Sequence, residues 1–433
     1  MRGYLAPLML TGLLAFSAQA TTTLDIATIA NGDMTIMQQL SSRYEKAHPD
    51  IQLKWHLMSD GELRQQVRTA MEKGDAPYDV IAVGTYEAPL WGKKGWLTPL
   101  NNLPADYQVD DLLAPVRKAL SWQDTLYALP FYGESSMTYY RKDLFAAKGL
   151  TMPDDPDWSD IKRFAAALTD KQKGQYGLCL RGLPGWGDNV ALITTMANAY
   201  GAQWFDMDWK PTLDSDEWRE VLTDYLQMVK DYGPPDTEHN SFSQIIRLFT
   251  EGRCAMWVDS TVAASQLTNP QISPVADKVG FAPAPGGLTQ NGSHWLWSWA
   301  LAVPAKSSHQ SEAIAFIVWA TSQQYINTVA EVVGWGAVPP GSRLSTYQQS
   351  RYLRLAPYGP QVKAAIESAS VQQPTLGPVP YQGVQYVSIP GFDMMGNQVG
   401  ENLAAMLAGK LSVEETLSRN QQQVSALAAQ TPR

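Results

Sequence analysis

The amino-acid sequence predicts an α/β protein of two domains, each built around a doubly wound sheet, and three observations support this prediction. In the first hundred residues, short apolar runs alternate with helical patterns, as they do where helices connect parallel strands. About 410 residues follow a predicted leader, which is more than one hydrophobic core usually serves. Between residues 127 and 144, two strand-like segments meet without a flexible linker, which indicates a hinge.

The N-terminus has the three parts of a secretory signal peptide. Arg2 precedes an apolar run from Leu5 to Phe16, and residues 18–20 form a cleavage site of small residues. The apolar run is shorter than the roughly 20 residues that span a bilayer. The residue directly after the cleavage point is Thr21 and not a cysteine, so no lipid anchor is expected. We therefore expect residues 1–20 to be removed and the mature chain to be a soluble protein of a bacterial periplasm.

Charge and cysteine usage restrict the partners and the compartment. Removing Arg2 reduces the 33 basic side chains to 32 against 42 acidic ones, and the resulting net charge of −10 is dispersed along the chain. An acidic chain without a basic stripe is unsuited to nucleic acid or to anionic lipid. Cys179 and Cys254 would lie in an oxidising compartment, where they could pair, but a chain of this length does not need a disulfide. The sequence leaves open whether they pair.

Strand and helix patterns follow one another through the first hundred residues. Leu24–Ile29 is a short β-type run, and a helical spacing of apolar residues then continues to Lys46. Ser59-Asp60-Gly61-Glu62 has the pattern of a capping box that opens a second helix. Asp79–Val83 is a nearly continuous apolar run, typical of a parallel strand that is buried on both faces.

Two loops follow these strands at the position where doubly wound sheets bind their ligands, beyond the carboxyl ends of the strands. Asn31-Gly32-Asp33 follows the first strand, and Gly84-Thr85-Tyr86-Glu87 follows the later one. Asn31, Asp33, Tyr86 and Glu87 are therefore candidate ligand-binding residues. The alternative for Asp33 is a helix cap, and the alternative for Glu87 is a contact with a membrane partner.

The rest of the chain continues the mixed pattern. A strand at Tyr127–Phe131, a glycine with a carboxylate at Gly133 and Glu134, and a second strand from Met137 lead from one domain to the next, so the crossing is expected to be a strand. Leu296–Val303 is predicted as a second crossing strand. The other predicted elements are a strand at Tyr176–Leu180 and helices at Asp157–Leu168, Asn189–Tyr200, Asp216–Tyr232, Ser243–Glu251, Gln310–Thr321, Gly396–Ala408 and from Val413.

Tryptophan accounts for 15 of the 433 residues, and several copies stand beside glycine and small polar groups. An indole stacks on the C–H face of a sugar or sugar alcohol, while acids, amides and arginine replace water on its hydroxyls. The alternative for each tryptophan is an ordinary place in the core. Because the pattern repeats, it favours a carbohydrate ligand. The segments are Gly185-Trp186-Gly187-Asp188-Asn189, Ala255-Met256-Trp257-Val258-Asp259, His294-Trp295-Leu296-Trp297 and Gly334-Trp335-Gly336.

Several segments, in their order along the chain, resemble the extracellular solute-binding proteins of carbohydrate ABC importers. The resemblance covers essentially the whole mature chain. It is carried by Asn31-Gly32-Asp33, Tyr78-Asp79-Val80 with Trp91-Gly92-Lys93-Lys94-Gly95-Trp96-Leu97, Pro130–Asp143 and Gly252–Asp259. Gly84–Glu87 with Trp91-Gly92, and Leu180–Gly187, resemble more narrowly the mannitol and sorbitol binders of that family.

This resemblance implies a periplasmic-binding-protein-like fold, in which two α/β lobes close on the ligand about a hinge of three crossing segments. The expected lobes are residues 21–131 with 302–338, and residues 132–301 with 339–433. By analogy with sugar-binding members, Asp33 accepts sugar hydroxyls and Glu134 faces the cleft from the hinge strand. Asp259 is expected opposite them, in the second lobe. Replacing Asp259 or Trp186 by alanine is expected to weaken ligand binding far more than folding.

The remaining candidate ligand-binding residues lie in or near the tryptophan segments. Arg181 either pairs with vicinal hydroxyls or holds Asp188 in place. Asp188 and Asn189 either bind the ligand or cap the helix that follows them. His294 either donates to a hydroxyl or is a satisfied structural residue. The candidates for stacking on the ligand are Trp186, Trp295, Trp335 and Phe392, whereas Trp297 and Trp299 are expected to alternate between core and surface on a strand.

The predicted function is that of a monomeric periplasmic receptor, which captures a sugar alcohol or related monosaccharide and delivers it to ABC permease subunits. Binding is expected without chemistry, metal or cofactor. The alternative is a secreted glycoside hydrolase that uses paired carboxylates such as Asp33 and Glu134. The sequence has no Gly-x-Ser-x-Gly, P-loop or His-Glu-x-x-His motif, and its five histidines lack metal-ligand spacing.

Overall fold

The computed structural model describes residues 21–431, so the predicted signal peptide lies outside the described residues. Within this range the strands are β1 (Thr22–Ile29), β2 (Ile51–Met58), β3 (Val80–Val83), β4 (Ser121–Trp122), β5 (Thr125–Leu126), β6 (Leu129–Glu134), β7 (Ser136–Arg141), β8 (Met256–Ser260), β9 (Val279–Pro283) and β10 (Trp297–Ala302). The α-helices are α1 (Gly32–Leu40), α2 (Ser42–Ala47), α3 (Asp60–Lys73), α4 (Glu87–Lys93), α5 (Ala114–Ala119), α6 (Lys142–Ala147), α7 (Trp158–Leu168), α8 (Asn189–Ala199), α9 (Asp216–Tyr232), α10 (Phe242–Thr250), α11 (Ala263–Leu267), α12 (Gln310–Ala320), α13 (Gln323–Val332), α14 (Leu344–Gln348), α15 (Ser350–Leu355), α16 (Gly359–Ser368), α17 (Phe392–Leu407) and α18 (Val413–Ala428). Short 3-10 helices lie at Ala105–Tyr107, Val109–Asp111, Lys171–Lys173, Thr237–His239, Ala276–Lys278 and Trp335–Ala337.

The first sheet has the strand order β2-β1-β3-β10-β6. β1 pairs in parallel with both β2 and β3, while β10 runs antiparallel to β3 and to β6. α3 connects β2 to β3 and buries the predicted apolar side, Leu63, Val67 and Met71. The strand–helix–strand prediction for this part of the chain is confirmed, and the ends of β1, β3 and β6 meet the start of β10 at one edge of the sheet.

Two local predictions in this region need correction. The helix expected to run to Lys46 is divided at Ser41, whose hydroxyl donates to the carbonyl of Gln38 (2.7 Å). A serine that bonds back to the preceding turn in this way bends a helix. The predicted capping box forms only in part: Ser59 accepts from the backbone N–H of Glu62, but the Glu62 side chain accepts from Gln66 instead.

The second sheet is smaller and has the order β8-β7-β9, with β7 antiparallel to both neighbours. The predicted strand at Tyr176–Leu180 forms isolated parallel bridges with the segment around β8, from Tyr176 to Cys254 and from Cys179 to Trp257, and no regular strand. Cys179 and Cys254 form a disulfide at this edge, which settles the question that the sequence left open.

The two sheets are joined where β6 passes directly into β7 through Ser135, so the crossing is made by strand, as the sequence predicted. A third crossing passes beside it at Gly341. Gly133 and Gly341 lie so close together that a β-carbon on either residue would collide with the backbone of the other. Gly341 also has a φ of 72°, which favours glycine. In the first sheet, β6 continues to Glu134 and β10 begins at Trp297. The predicted lobe boundaries at 131/132 and 301/302 therefore fall inside these two strands.

The second lobe is organised around helices that pack on one another. α8 is buried along its whole length and packs against α9 and α17. Gly396 and Gly400 on α17 leave room for the loop that contains Gly185 and Trp186, since a β-carbon at either glycine would collide with that loop. Within residues 21–431, no helix combines the length and the apolar character that crossing a membrane requires.

Candidate functional site

The site lies at the edge of the first sheet that faces the second lobe. Asn31 and Asp33 follow β1, Glu134 ends β6, and Trp297, which starts β10, pairs with Glu134 in register. Asn31 caps α1 by accepting from the N–H of Met34 and also donates to the hydroxyl of Tyr132 (3.2 Å). Because Asn31 is the cap, the predicted alternative of a capping role for Asp33 finds no support.

Two half-buried carboxyl groups, Asp33 and Glu134, face one another across this edge. Desolvation raises the pKa of Asp33 to about 6. Desolvation also raises the pKa of Glu134 to about 7, with repulsion from Asp259 and Asp33 adding to the shift and the Ser260 hydroxyl and Arg181 opposing it. Carboxyl groups that have lost their hydration in this way are stabilised by hydroxyl groups that replace the lost hydrogen bonds.

Arg181 and Asp259 form the opposite wall. The guanidinium donates to both carboxylate oxygens of Asp259 (Nε to Oδ2 2.7 Å, Nη2 to Oδ1 2.5 Å) and to the carbonyl of Gly187 (2.9 Å). Asp259 has 1% of its surface exposed and also accepts from Trp257 Nε1 (2.9 Å) and the N–H of Ser260 (2.6 Å). Asp259 therefore holds Arg181 in position at the wall of the cleft.

The loop before α8 separates the roles of two neighbouring candidates. Asp188 makes no side-chain cap hydrogen bond to α8 and lies 3.6 Å from Arg181. Desolvation raises its pKa to about 6, with Asp60 and Asp259 adding to the shift and Arg181 opposing it. Asn189 is fully buried, and its side-chain amide donates to the carbonyls of Gly182 and Gly400. Asp188 thus faces the cleft, whereas Asn189 fastens the loop to α17.

His294 and Trp295 bring buried polar atoms that have no hydrogen-bond partner within residues 21–431. Trp295 is 3% exposed, its indole N–H is unpaired, and the Arg181 guanidinium lies 5.7 Å from its ring centre. His294 receives or donates one hydrogen bond at Nδ1 with Ser368 (2.9 Å), while Nε2 is unpaired. Desolvation lowers the pKa of His294, with Asp155 opposing the shift. Unpaired buried donors of this kind require a partner.

The tryptophan and tyrosine candidates differ in what surrounds them. Trp186 is 6% exposed and packs against the rings of Tyr86, Trp297 and Phe392, with centroid distances of 5.1, 5.7 and 6.4 Å. Phe392 is fully buried beside Trp204 and so lies in the second-lobe core. These indole and phenyl faces contact protein in this closed arrangement.

Trp335 lies outside this packed cluster. It opens the short helix Trp335–Ala337, is half-buried, and makes neither a ring contact nor a hydrogen bond through its side chain within the described part of the chain. Trp335 packs against the edge of the core, and its role as a stacking residue stays a prediction.

One prediction and one alternative about neighbouring residues need correction, and the contacts of Arg64 were missed. Trp297 and Trp299 do not alternate between core and surface, because both are buried. The reason is that residues two apart on a strand lie on the same face, and every residue of β10 is buried. Arg64 of α3 covers both rings, with its guanidinium carbon 5.0 Å from the Trp297 ring centre and 4.9 Å from that of Trp299. Arg64 also pairs with Glu87, which is buried and so has no surface for a membrane partner. The helical phase of Arg64, four residues after Asp60, was the signal that sequence reasoning overlooked.

The chemistry available in this cleft is hydrogen bonding. The first sheet brings acceptors at Asp33 and Glu134, and the second lobe brings donors at Arg181 and Trp295 with the Asp188 acceptor beside Arg181. No group of His, Cys, Asp and Glu side chains within residues 21–431 is arranged to hold a metal ion. Such a set suits a small neutral ligand that both donates and accepts at many points.

The fold and the cleft define a two-lobed binding protein with a hinge. The chain belongs to the bacterial extracellular solute-binding proteins, since the model of that family matches residues 30–326. The predicted resemblance is thereby confirmed. The chain is 49% identical over 405 residues to the mannitol-binding protein of Pseudomonas aeruginosa, covering 94% of this chain and 93% of that protein.

Solved structures agree. A solute-binding protein of Agrobacterium vitis S4 with bound D-mannitol superposes with a TM-score of 0.92 and 47% identity, covering 95% of this chain and 100% of that one. A protein of Agrobacterium radiobacter K84 in complex with ribitol superposes with a TM-score of 0.82 at 23% identity, covering 94% and 99%, and supports the fold alone.

Proposed function

We propose that this protein is a periplasmic receptor for mannitol or a closely related C6 sugar alcohol, which it delivers to an ABC import permease. The observation that carries the proposal is the full-length match, at 49% identity, to a mannitol-binding protein. The structure with bound D-mannitol, at 47% identity over nearly the same span, supports the same ligand class.

The chemistry of the cleft supports an open-chain polyol. Each carbon of such a ligand carries a hydroxyl that both donates and accepts. The carboxyl groups of Asp33, Glu134 and Asp188 offer acceptors, and the N–H groups of Arg181 and Trp295 offer donors. A polyol satisfies the unpaired Trp295 donor without introducing a charge, which fits the acidic lining of the cleft.

Capture requires contacts with both lobes. Asp33 and Glu134 are carried by the first sheet, while Arg181 and Trp295 belong to segments beside the second. A ligand shifts the lobes towards the closed state only by contacts that it makes better in that state. We infer that the first-lobe acids hold the polyol in the open form and that Arg181, Asp188 and Trp295 engage it on closure.

Binding proceeds without chemistry in this proposal, and the molecule acts as a monomer. The glycoside hydrolase alternative is not supported, because the family and the relatives above are binding proteins. We propose that the lobes follow the expected division, residues 21–131 with 302–338 and residues 132–301 with 339–433, with the boundaries moved to the ends of β6 and β10 so that Glu134 and Trp297 belong to the first lobe. Residues 1–20 serve as the cleaved signal peptide that directs the chain to the periplasm.

Calorimetry with a ligand panel tests the proposal. The purified mature chain is titrated with mannitol, sorbitol, ribitol and maltose, and the mannitol is then recovered and chromatographed. We expect mannitol or sorbitol to bind tightest and to return unchanged. A ligand at about 100 times its Kd should also stabilise the fold by roughly 2.7 kcal/mol. Turnover of any sugar, or binding of maltose in preference to the polyols, would refute the assignment.

A further inference from the structure

One side of α3 makes a continuous contact with the second lobe. Asp60, Arg64 and Arg68 are spaced four residues apart, so their side chains share one face of the helix. Asp60 approaches Gly187, because a β-carbon there would lie 3.6 Å from Asp60 Oδ2. Arg64 lies 4.4 Å from the Trp186 ring centre, and Arg68 pairs with Asp393. We call this set of contacts the α3 wall.

The wall is reinforced from the loop after β3. Tyr86 donates to the carbonyl of Ile389 (3.0 Å), and Tyr386 donates to the hydroxyl of Thr85 (2.9 Å). All these bonds join the first lobe to the segment that leads into α17. The lobes therefore touch directly on this side of the cleft.

The Arg64 side chain is the centre of the wall. It is 16% exposed, pairs with both Asp60 and Glu87, and lies against the rings of three tryptophans. A cation held between indoles and acids in this way is costly to displace, since the ligand would have to replace both sets of contacts. Trp186 accordingly serves as a wall residue here, covered by Arg64 and by Tyr86.

We propose that the α3 wall sets the upper limit of ligand size, so that a single polyol chain or monosaccharide fits and a disaccharide does not. The inference rests on the proposed function. The fold itself imposes no such limit, because proteins that share it were solved with ligands from ribitol to maltose and cycloalternan. The restriction must therefore come from side chains that close one side of the cleft.

Affinities for mannitol and for maltitol, a glucosyl-sorbitol, test the inference. We expect the wild-type chain to bind mannitol and to discriminate strongly against maltitol. Arg64→Ala should reduce the maltitol-to-mannitol Kd ratio by about tenfold, as loss of a partly desolvated cation–π contact implies. Arg117→Ala is the matched control, because Arg117 pairs with Asp110 within the first lobe and should leave the ratio unchanged.

A charge swap keeps the test decisive if Arg64→Ala fails to fold. Arg68→Asp and Asp393→Arg should each lower the ratio, and the double variant should restore it, because Arg68 and Asp393 face each other across the lobes. An unchanged ratio in all folded variants overturns the size-limit inference and leaves the proposed function intact. A wild-type chain that binds no polyol overturns both.

Discussion

The pair formed by Arg181 and Asp259 offers the most direct test of how this cleft is built. In Asp259→Asn the buried guanidinium keeps its charge but loses the carboxylate that holds it. Asp259 receives four hydrogen bonds, two from Arg181 and one each from Trp257 and Ser260. Leaving one partner of a buried ion pair without the other costs about 3–5 kcal/mol.

The variant is compared with wild type by urea denaturation, from which the free energy of unfolding is extrapolated to water. A loss of about 3 kcal/mol is a large part of the roughly 5–15 kcal/mol that keeps a protein folded. Asp110→Asn is the matched control, since Asp110 is fully exposed and its pair with Arg117 should contribute almost nothing. A loss below about 1 kcal/mol in Asp259→Asn would refute the structural role.

Mannitol titration of the same variant separates two roles of Asp259. The sequence led us to expect that ligand binding would suffer far more than folding. The burial of Asp259 under Arg181 changes that expectation, and both should now decrease together. If affinity falls while the free energy of unfolding stays constant, Asp259 contacts the ligand directly and the original expectation holds.

Three further perturbations follow from single groups. The folded pKa of Glu134 is raised from 4.5 to about 7, so its contribution to stability is present below pH 4.5 and is lost as pH rises through 7. Because hydroxyl donors favour the carboxylate, mannitol affinity should increase between pH 6 and 8, and calorimetry of Glu134→Gln should show a smaller increase there, which comes from Asp33 and Asp188 with their pKa values of about 6. Trp295→Phe removes an unpaired indole N–H, so it should weaken mannitol binding by about 1 kcal/mol without destabilising the free protein. Trp158→Phe is the control, because it removes another unpaired indole N–H and should leave the affinity unchanged. Equal mannitol affinities for wild type, Trp158→Phe and Trp295→Phe would show that Trp295 does not contact the ligand. Reducing the disulfide between Cys179 and Cys254, 75 residues apart, should cost about 4 kcal/mol in urea denaturation, and an identical midpoint with and without reductant would contradict it.

Local periodicity was sufficient for most elements of the fold. The helices Asp216–Tyr232 and Trp158–Leu168 were found from apolar spacing and capping residues, which act within a few positions of the chain. The segment around Tyr176 was less predictable, because its pairing depends on Cys254 and Trp257, nearly eighty residues away. Pairing between such distant segments leaves no local pattern.

The candidate site was predicted in part for the same reason. Asp33 and Glu134 follow strands, so topology alone brought them to one edge of the sheet. Asn189 and Phe392 were selected for their sequence neighbours, yet their side chains turn into the second lobe. Arg64 lies one helical turn after Asp60, but only the approach of α3 to Trp186 gives it a role.

By itself, the sequence determined the α/β class, the hinge strand and the family, because these depend on patterns that are local or that persist along the whole chain. The tertiary structure decided which side chains face the cleft. It turned Asp259 into the support of Arg181 and Trp186 into a contact of Arg64. The physical reason is that desolvation and ion pairing depend on what lies opposite each residue in space, and in a two-lobed protein that neighbour comes from a distant part of the chain.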